Sequence, residues 1–146
     1  MAIFMRERVY QGKAEVIFDL LVTGSLKEFG VNKTDSQLIG RKITKSFQNT
    51  QSNIPVEMEI LDFILNKKYE VVTRMKDILY IIDIELTPIE DHQVKLTYRE
   101  SMISTRKFKN LSVKLFGFLN KKRINQKIDQ ILDQVDNHLA NQVNIK

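Results

Sequence analysis

The sequence contains no cysteine among its 146 residues. Disulfide frameworks, thiol nucleophiles, cysteine-ligated zinc sites and iron–sulfur clusters are therefore excluded. A chain of this length buries roughly two thirds of its unfolded surface on folding, so it needs no metal or disulfide for stability. The composition, 42% hydrophobic and 28% charged, predicts one packed domain spanning residues 1–146, and we expect a reducing cytoplasm as its compartment.

Long hydrophobic runs are also missing. The longest uncharged apolar run, Ile78 to Ile82, has five residues, whereas a membrane-spanning helix needs about twenty. Near the N-terminus, Arg6, Glu7 and Arg8 precede any apolar run of signal-peptide length, so we expect no cleaved leader. The sequence therefore predicts no transmembrane segment.

The motifs of several enzyme classes are absent as well. There is no GxGxxG or P-loop pattern, and the serines lie in no GxSxG or SxxK setting. The two histidines, His92 in a charged turn and His138 near the C-terminus, lack the i, i+4 histidine partner that zinc enzymes use. We therefore assign no catalytic residue, no metal site and no cofactor. A catalytic triad whose members are distant in the sequence would have no such motif.

Alternating apolar and polar residues predict strands in two parts of the chain. The first strand is expected from Ile3 to Tyr10, and five more follow between Arg41 and Ile103. Such alternation implies one buried and one wet face, so we predict an antiparallel meander within a curved sheet of about six strands. The apolar members of the five strands are Ile43 and Phe47; Ile54, Val56, Met58 and Ile60; Tyr69, Val71, Thr73 and Met75; Tyr80, Ile82, Ile84 and Leu86; and Val94, Leu96, Tyr98 and Met102.

Helical periodicity precedes and follows these strands. Apolar residues at three- and four-residue steps predict a helix from Lys13 to Phe29 that ends at Gly30. The segment Thr34 to Gly40 has helix N-cap chemistry at its start and predicts a second, short helix. After Ile103, an apolar stripe of about thirty residues predicts a long C-terminal helix that packs on the sheet.

This order of elements resembles the helix-grip, or START-like, superfamily, which includes the birch-pollen allergen. In detail the chain is similar to a family of domains of unknown function from low-GC Gram-positive bacteria. The resemblance covers the whole chain and is carried by residues 14–21 (AEVIFDLL), 40–43 (GRKI) and 117–123 (GFLNKKR), with Lys13 where many superfamily members have proline. It implies an α+β fold in which a curved sheet grips the long helix around a cavity that often takes an apolar ligand. It implies no reaction, because this superfamily hosts carriers, cyclases, hydrolases and regulatory modules.

The last predicted strand places a carboxylate among apolar side chains. If Tyr98 and Met102 face the helix, Glu100 faces it too, where it could hold a polar group of a ligand or act as an acid or base. Alternatively, Glu100 lies in water at the open end of the sheet, or pairs with Lys45 or an N-terminal arginine. The predicted ligand-binding residues are Tyr69, Thr73, Tyr80, Ile82, Tyr98, Glu100, Leu115 and Leu119.

The formal charge of +5 is concentrated in one segment. Residues 106–123 carry seven basic residues and no acidic residue, so the remainder of the chain sums to −2. These basic residues are Arg106, Lys107, Lys109, Lys114, Lys121, Lys122 and Arg123. Interleaved phenylalanine and leucine make the segment a basic amphipathic stretch that either docks on a partner or an anionic membrane surface, or packs in the core with a solvated basic face. Without a nucleic-acid-binding motif, we expect no specific nucleic-acid partner.

Three functions remain open at this point. The first is noncatalytic binding of a small apolar or amphipathic molecule between the sheet and the C-terminal helix. The second is a regulatory or interaction module that contacts a protein partner, a second copy of the chain or a membrane surface through residues 106–123. The third is an enzyme of the cyclase or hydrolase type, which would need at least two polar groups converging in the pocket.

Overall fold

In a computed structural model of the chain, six strands and two helices form an α+β fold. The structure describes residues 2–49, 52–75, 78–90, 92–104, 129–130 and 132–140, with side chains for 4–45, 55–75, 78–90, 92–103, 129–130 and 132–140. The elements are β1 (Ala2–Gln11), α1 (Ala14–Glu28), β2 (Lys42–Asn49), β3 (Ser52–Ile64), β4 (Lys68–Met75), β5 (Ile78–Glu90), β6 (Gln93–Ser104) and α2 (132–140).

The six strands form one open antiparallel sheet. Their order is β1-β6-β5-β4-β3-β2, so β2 to β6 form a meander and β1 adds to its far edge beside β6. Every neighbouring pair is antiparallel. The prediction of about six antiparallel strands is confirmed, because the period-two pattern reports directly which strand face is buried.

The first helix also agrees with its sequence pattern. Its buried side chains, Ile17, Phe18, Val22 and Leu26, recur at helical spacing and face the sheet. The helix ends at Glu28 with Phe29 as its C-cap, and Gly30 follows with a φ of +70°, a conformation that glycine adopts without steric cost.

The predicted second short helix is wrong. Residues 31–40 form turns instead. The Asp35 carboxylate accepts a hydrogen bond from the backbone N–H of Asn32 at 2.9 Å. Asn32 precedes Asp35 in the chain, whereas a helix N-cap would accept from an N–H that follows it. Gln37 then takes a φ of +59°, which interrupts any helix, and Gly40 already bonds to Ile60 of β3 at 2.8 Å. The capping side chain is therefore used in a turn, and strand pairing begins before a helix can form.

The described part of the C-terminal region packs on the inner face of the sheet. Leu132 and Val135 of α2 are buried, and the hydroxyl of Tyr10 in β1 donates to the Leu132 carbonyl at 3.1 Å. The long helix predicted after Ile103 stays a prediction, because residues 105–128 lie outside the described part of the chain.

Aromatic packing joins α1 to the sheet. Phe63 contacts Phe18 edge-to-face with ring centroids 5.7 Å apart, and it meets Tyr69 in the same way at 6.1 Å. Such pairs add about 0.5–1.5 kcal/mol beyond the burial of their surface. The core thus lies between α1, α2 and one end of the inner sheet face.

Candidate functional site

The candidate site is a carboxylate on the inner face of the sheet. Antiparallel register places Glu100 of β6 opposite Ile82 of β5 on one side and opposite Phe4 of β1 on the other. Directly opposed residues share a sheet face, so Glu100 lies in an otherwise apolar cross-strand row. The members of this row are Ile60, Val71, Ile82, Glu100 and Phe4.

The Glu100 side chain is only 1% exposed and incompletely hydrogen-bonded. The Tyr98 hydroxyl donates to Oε1 at 2.7 Å. The other oxygen, Oε2, is buried and has no hydrogen-bond partner among the described residues. A buried acceptor without a partner carries a desolvation penalty of about 1–3 kcal/mol, and more when it is charged. Such a group needs an explanation beyond packing.

The alternatives considered for Glu100 do not match this geometry. The side chain is not in water at the open end of the sheet. Lys45 instead pairs with Glu28 of α1 at 3.3 Å, and Arg6 and Arg8 pair with aspartates of the C-terminal region. Within the described ranges, these three cations are therefore engaged elsewhere.

Two tyrosines share the environment of Glu100. Tyr80 of β5 lies on the same face, diagonally across from Glu100. Burial, and next the neighbouring Glu100 carboxylate, raise the pKa of the Tyr80 and Tyr98 phenols well above the ordinary value. Both hydroxyls therefore keep their protons at neutral pH and act as hydrogen-bonding groups rather than as bases.

The inner face differs in exposure from one end to the other. At the end covered by the helices, Tyr69, Ile84 and Leu96 are buried. From Glu100 toward the other end, several inner-face side chains are partly exposed: Thr73, Met75, Ile78, Tyr80, Ile82 and Met102. An accessible, mainly apolar surface therefore lies beside the buried carboxylate.

The residues predicted to bind a ligand are only partly brought together. Thr73 pairs with Tyr80 across β4 and β5, and Ile82 pairs with Glu100, so these residues and Tyr98 form one patch. Tyr69 lies apart, beneath α1, where its hydroxyl and that of Ser25 are 2.6 Å apart, and burial raises its pKa to about 12. Leu115, Leu119 and the seven basic residues of segment 106–123 lie outside the described residues.

The outer face of the sheet carries a row of charged residues that was not predicted from the sequence. Asp83 is 8% exposed although it points away from the core, and its Oδ2 accepts from Arg99 at 2.9 Å. Its Oδ1 has no partner among the described residues. Next to it, Glu70 has a raised pKa, first because of its own burial and then because of the Asp83 charge. Only the cross-strand register shows that these residues meet, because it places Glu70, Asp83 and Arg99 in one row.

The two histidines lie away from the Glu100 patch. His92 is exposed in the turn between β5 and β6, with a φ of +66°. His138 is exposed on α2 and lines a surface groove of about 500 Å³ together with Asp19 and Leu20 of α1. Within the described ranges, no group of three or more His, Asp or Glu residues could hold a metal ion.

Comparison with known proteins assigns the chain to a family. Residues 1–121 match the sequence profile of a domain of unknown function, DUF3284. The chain belongs to the DUF3284 family. No curated protein matches this DUF3284 domain in sequence. Over the residues that the structure describes, the DUF3284 domain has no helix long and apolar enough to cross a membrane.

Solved structures of bacterial proteins share the fold of the DUF3284 domain. A protein of unknown function from Staphylococcus aureus gives a TM-score of 0.60 at 15% identity, covering 97% of this chain and 95% of that chain. A conserved protein from Geobacillus kaustophilus gives 0.57 at 18% identity, covering 94% and 96%. A protein from Rhodobacter sphaeroides gives 0.60 at 9% identity, covering 95% and 92%. At these identities the likeness concerns the fold alone.

Proposed function

We propose that this DUF3284 protein is a noncatalytic, START-like binding domain that holds a small, mainly apolar molecule against the inner face of its sheet. The observation that carries the proposal is Glu100, a buried carboxylate with one oxygen unpartnered among the described residues, beside partly exposed apolar side chains. Ligand pockets combine an apolar lining with a few polar groups that orient the ligand, and this patch has both parts.

The order of elements supports the START-like part of the proposal. A helix follows the first strand, a meander of five strands comes next, and α2 returns to pack Leu132 and Val135 on the inner face. In a helix-grip arrangement, the space between the sheet and the terminal helix is the ligand site. The Glu100 patch lies on the inner-face end away from the buried Tyr69 and Leu96.

The chemistry of the patch favours binding over catalysis. Its phenols belong to Tyr80 and Tyr98, whose raised pKa values keep them protonated, so they are poor nucleophiles and poor bases. Tyr98 already donates to Glu100, which holds that side chain in one orientation. A carboxylate oriented in this way suits the recognition of a polar group.

A paired substitution tests the proposal. Ile81 and Ile82 are neighbours on β5, both partly exposed, and they point to opposite faces of the sheet. Ile82→Trp should fill the inner patch and abolish saturable binding of the neutral apolar dye Nile red, whereas Ile81→Trp should leave binding intact. Thermal unfolding of both variants controls for folding. The proposal is wrong if the unsubstituted protein binds the dye without saturation, or if both tryptophan variants bind it equally well.

A further inference from the structure

We propose that the ligand of the inner patch is an amphipathic amine, whose positively charged ammonium group is received by Glu100. This inference rests on the binding function proposed above and specifies the chemical class of the ligand. It depends on three features of the described residues: the unpartnered oxygen of Glu100, the engagement of the inner-face cations, and the acceptor atoms around the carboxylate.

The first feature is the vacant acceptor position at Glu100. Oε1 accepts from Tyr98 at 2.7 Å, while the buried Oε2 has no partner within the described ranges. A ligand that donates a hydrogen bond to Oε2 would offset the desolvation penalty of that atom. A ligand that offers only acceptors would leave the penalty in place.

The second feature is the engagement of the positive side chains on the inner face. Arg8 bonds Asp133 at 3.0 Å and Asp136 at 2.9 Å, and Arg6 lies 3.6 Å from Asp129. Lys45 is held by Glu28 at 3.3 Å. None of these cations contacts Glu100, so the described part of the patch offers an acceptor oxygen and no positive side chain. A fatty acid or another anionic head group would find no positive partner there, whereas an ammonium group would pair with the carboxylate.

The third feature is the set of oxygen atoms around the vacant position. The Tyr98 hydroxyl uses its proton on Glu100, so its lone pairs remain as acceptors, and Tyr80 of β5 places a second phenol diagonally across from the same side chain. An ammonium group has three N–H donors, which matches one carboxylate oxygen and two phenol oxygens. The alkyl part would then lie on the partly exposed side chains of Ile78, Ile82 and Met102.

A head-group series on the unsubstituted protein is the primary test. Octylamine, octanol and octanoate share one alkyl chain and differ only in the polar end. At neutral pH we expect octylamine to displace Nile red most strongly and octanoate most weakly. If octanol or octanoate displaces the dye as well as octylamine does, the amine inference is wrong and the binding function stands. If Nile red itself does not bind saturably, the binding function fails and the inference fails with it.

A substitution pair locates the receptor. Glu100→Gln keeps the size and the Tyr98 bond but removes the charge, so we expect octylamine affinity to fall about ten- to hundredfold, the range typical of a hydrogen bond to a charged group, with octanol affinity unchanged. Asp83→Asn is the matched control, because Asp83 is also a buried carboxylate with one oxygen unpartnered in the described structure, but it lies on the outer face. Equal loss in both variants, or none in Glu100→Gln, would overturn the assignment to Glu100.

Discussion

Alkaline titration of the tyrosines gives a sharp test of the described core. All four tyrosines of the chain, Tyr10, Tyr69, Tyr80 and Tyr98, have raised pKa values, and burial is the largest cause in each. A tyrosine in the unfolded chain loses its proton near pH 10. Because the folded protein holds these protons to higher pH, the stability linked to them is full below about pH 10 and is lost as the pH rises above that value.

The magnitude can be worked out for Tyr10 and Tyr69. Tyr10 and Tyr69 are 1% and 3% exposed, and the pKa of each is raised to about 12. A shift of one pKa unit corresponds to about 1.4 kcal/mol, so each of these tyrosines removes about 3 kcal/mol of stability between pH 10 and pH 12. Together they remove about 6 kcal/mol, which exceeds the lower end of the 5–15 kcal/mol typical of a domain. Tyr80 and Tyr98 steepen the loss further.

The assay follows tyrosinate absorbance and far-ultraviolet circular dichroism on the same samples as the pH is raised. We expect the two signals to change together in one step that is steeper than a single-proton titration, because ionisation requires unfolding. Tyr69→Phe should reduce the slope of stability against pH above about pH 10 by about 1.4 kcal/mol per unit. Four phenols that ionise reversibly near pH 10, with unchanged circular dichroism, would refute the buried placement of these residues.

Three further predictions concern stability and can be read from urea denaturation midpoints. Gly24→Ala should stabilise the protein by about 0.5–1 kcal/mol, since Gly24 is inside α1 with open space for a methyl group. Gly30→Ala should destabilise it by about 1 kcal/mol because the φ of Gly30 is +70°. Stability changes of the same sign in the two variants would contradict a helix that ends before Gly30. Phe18→Ala should cost about 3–5 kcal/mol, and Leu20→Ala, on the exposed side of α1, less than about 0.5 kcal/mol; similar costs would mean that the buried face of α1 is wrongly assigned. Arg8→Ala should cost about 0.5–1 kcal/mol at low salt and almost nothing at about 1 M salt, since its aspartate partners are exposed; a cost that does not depend on salt would argue against the ion pairs.

The sheet was predictable from the sequence because most of its apolar side chains lie on one face. The alternation of Tyr98 and Glu100 with polar neighbours places both side chains on the inner face, and the structure has them there. No long-range information was needed for this step, since successive residues of a strand must point to opposite faces. The same alternation placed Thr73, Tyr80 and Ile82 on that face, where cross-strand register brings them together.

The remaining features depend on contacts between distant segments. Residues 34–40 carry helix-capping chemistry, but the pairing of Gly40 with Ile60 ends the segment as a turn. Whether Glu100 meets a cation depends on where Lys45 and Arg8 find their own partners, and those partners lie on α1 and α2. Asp83 is buried by its neighbours on adjacent strands, which periodicity along a single strand does not report.

The position of β1 in the sheet constrains how the chain reaches its folded state. β1 pairs with β6, from Gln11 with Gln93 to Ala2 with Met102, so its partner residues lie 82 to 100 positions later in the chain. During synthesis at about 5–20 residues per second, the first strand therefore waits for several seconds or longer before its partner exists. Its hydrogen-bonding edge and the inner-face side chains of Phe4 and Tyr10 stay open for that time. Folding of this domain should be slow for its size, and the interval before β6 emerges is when a chaperone would have most to bind.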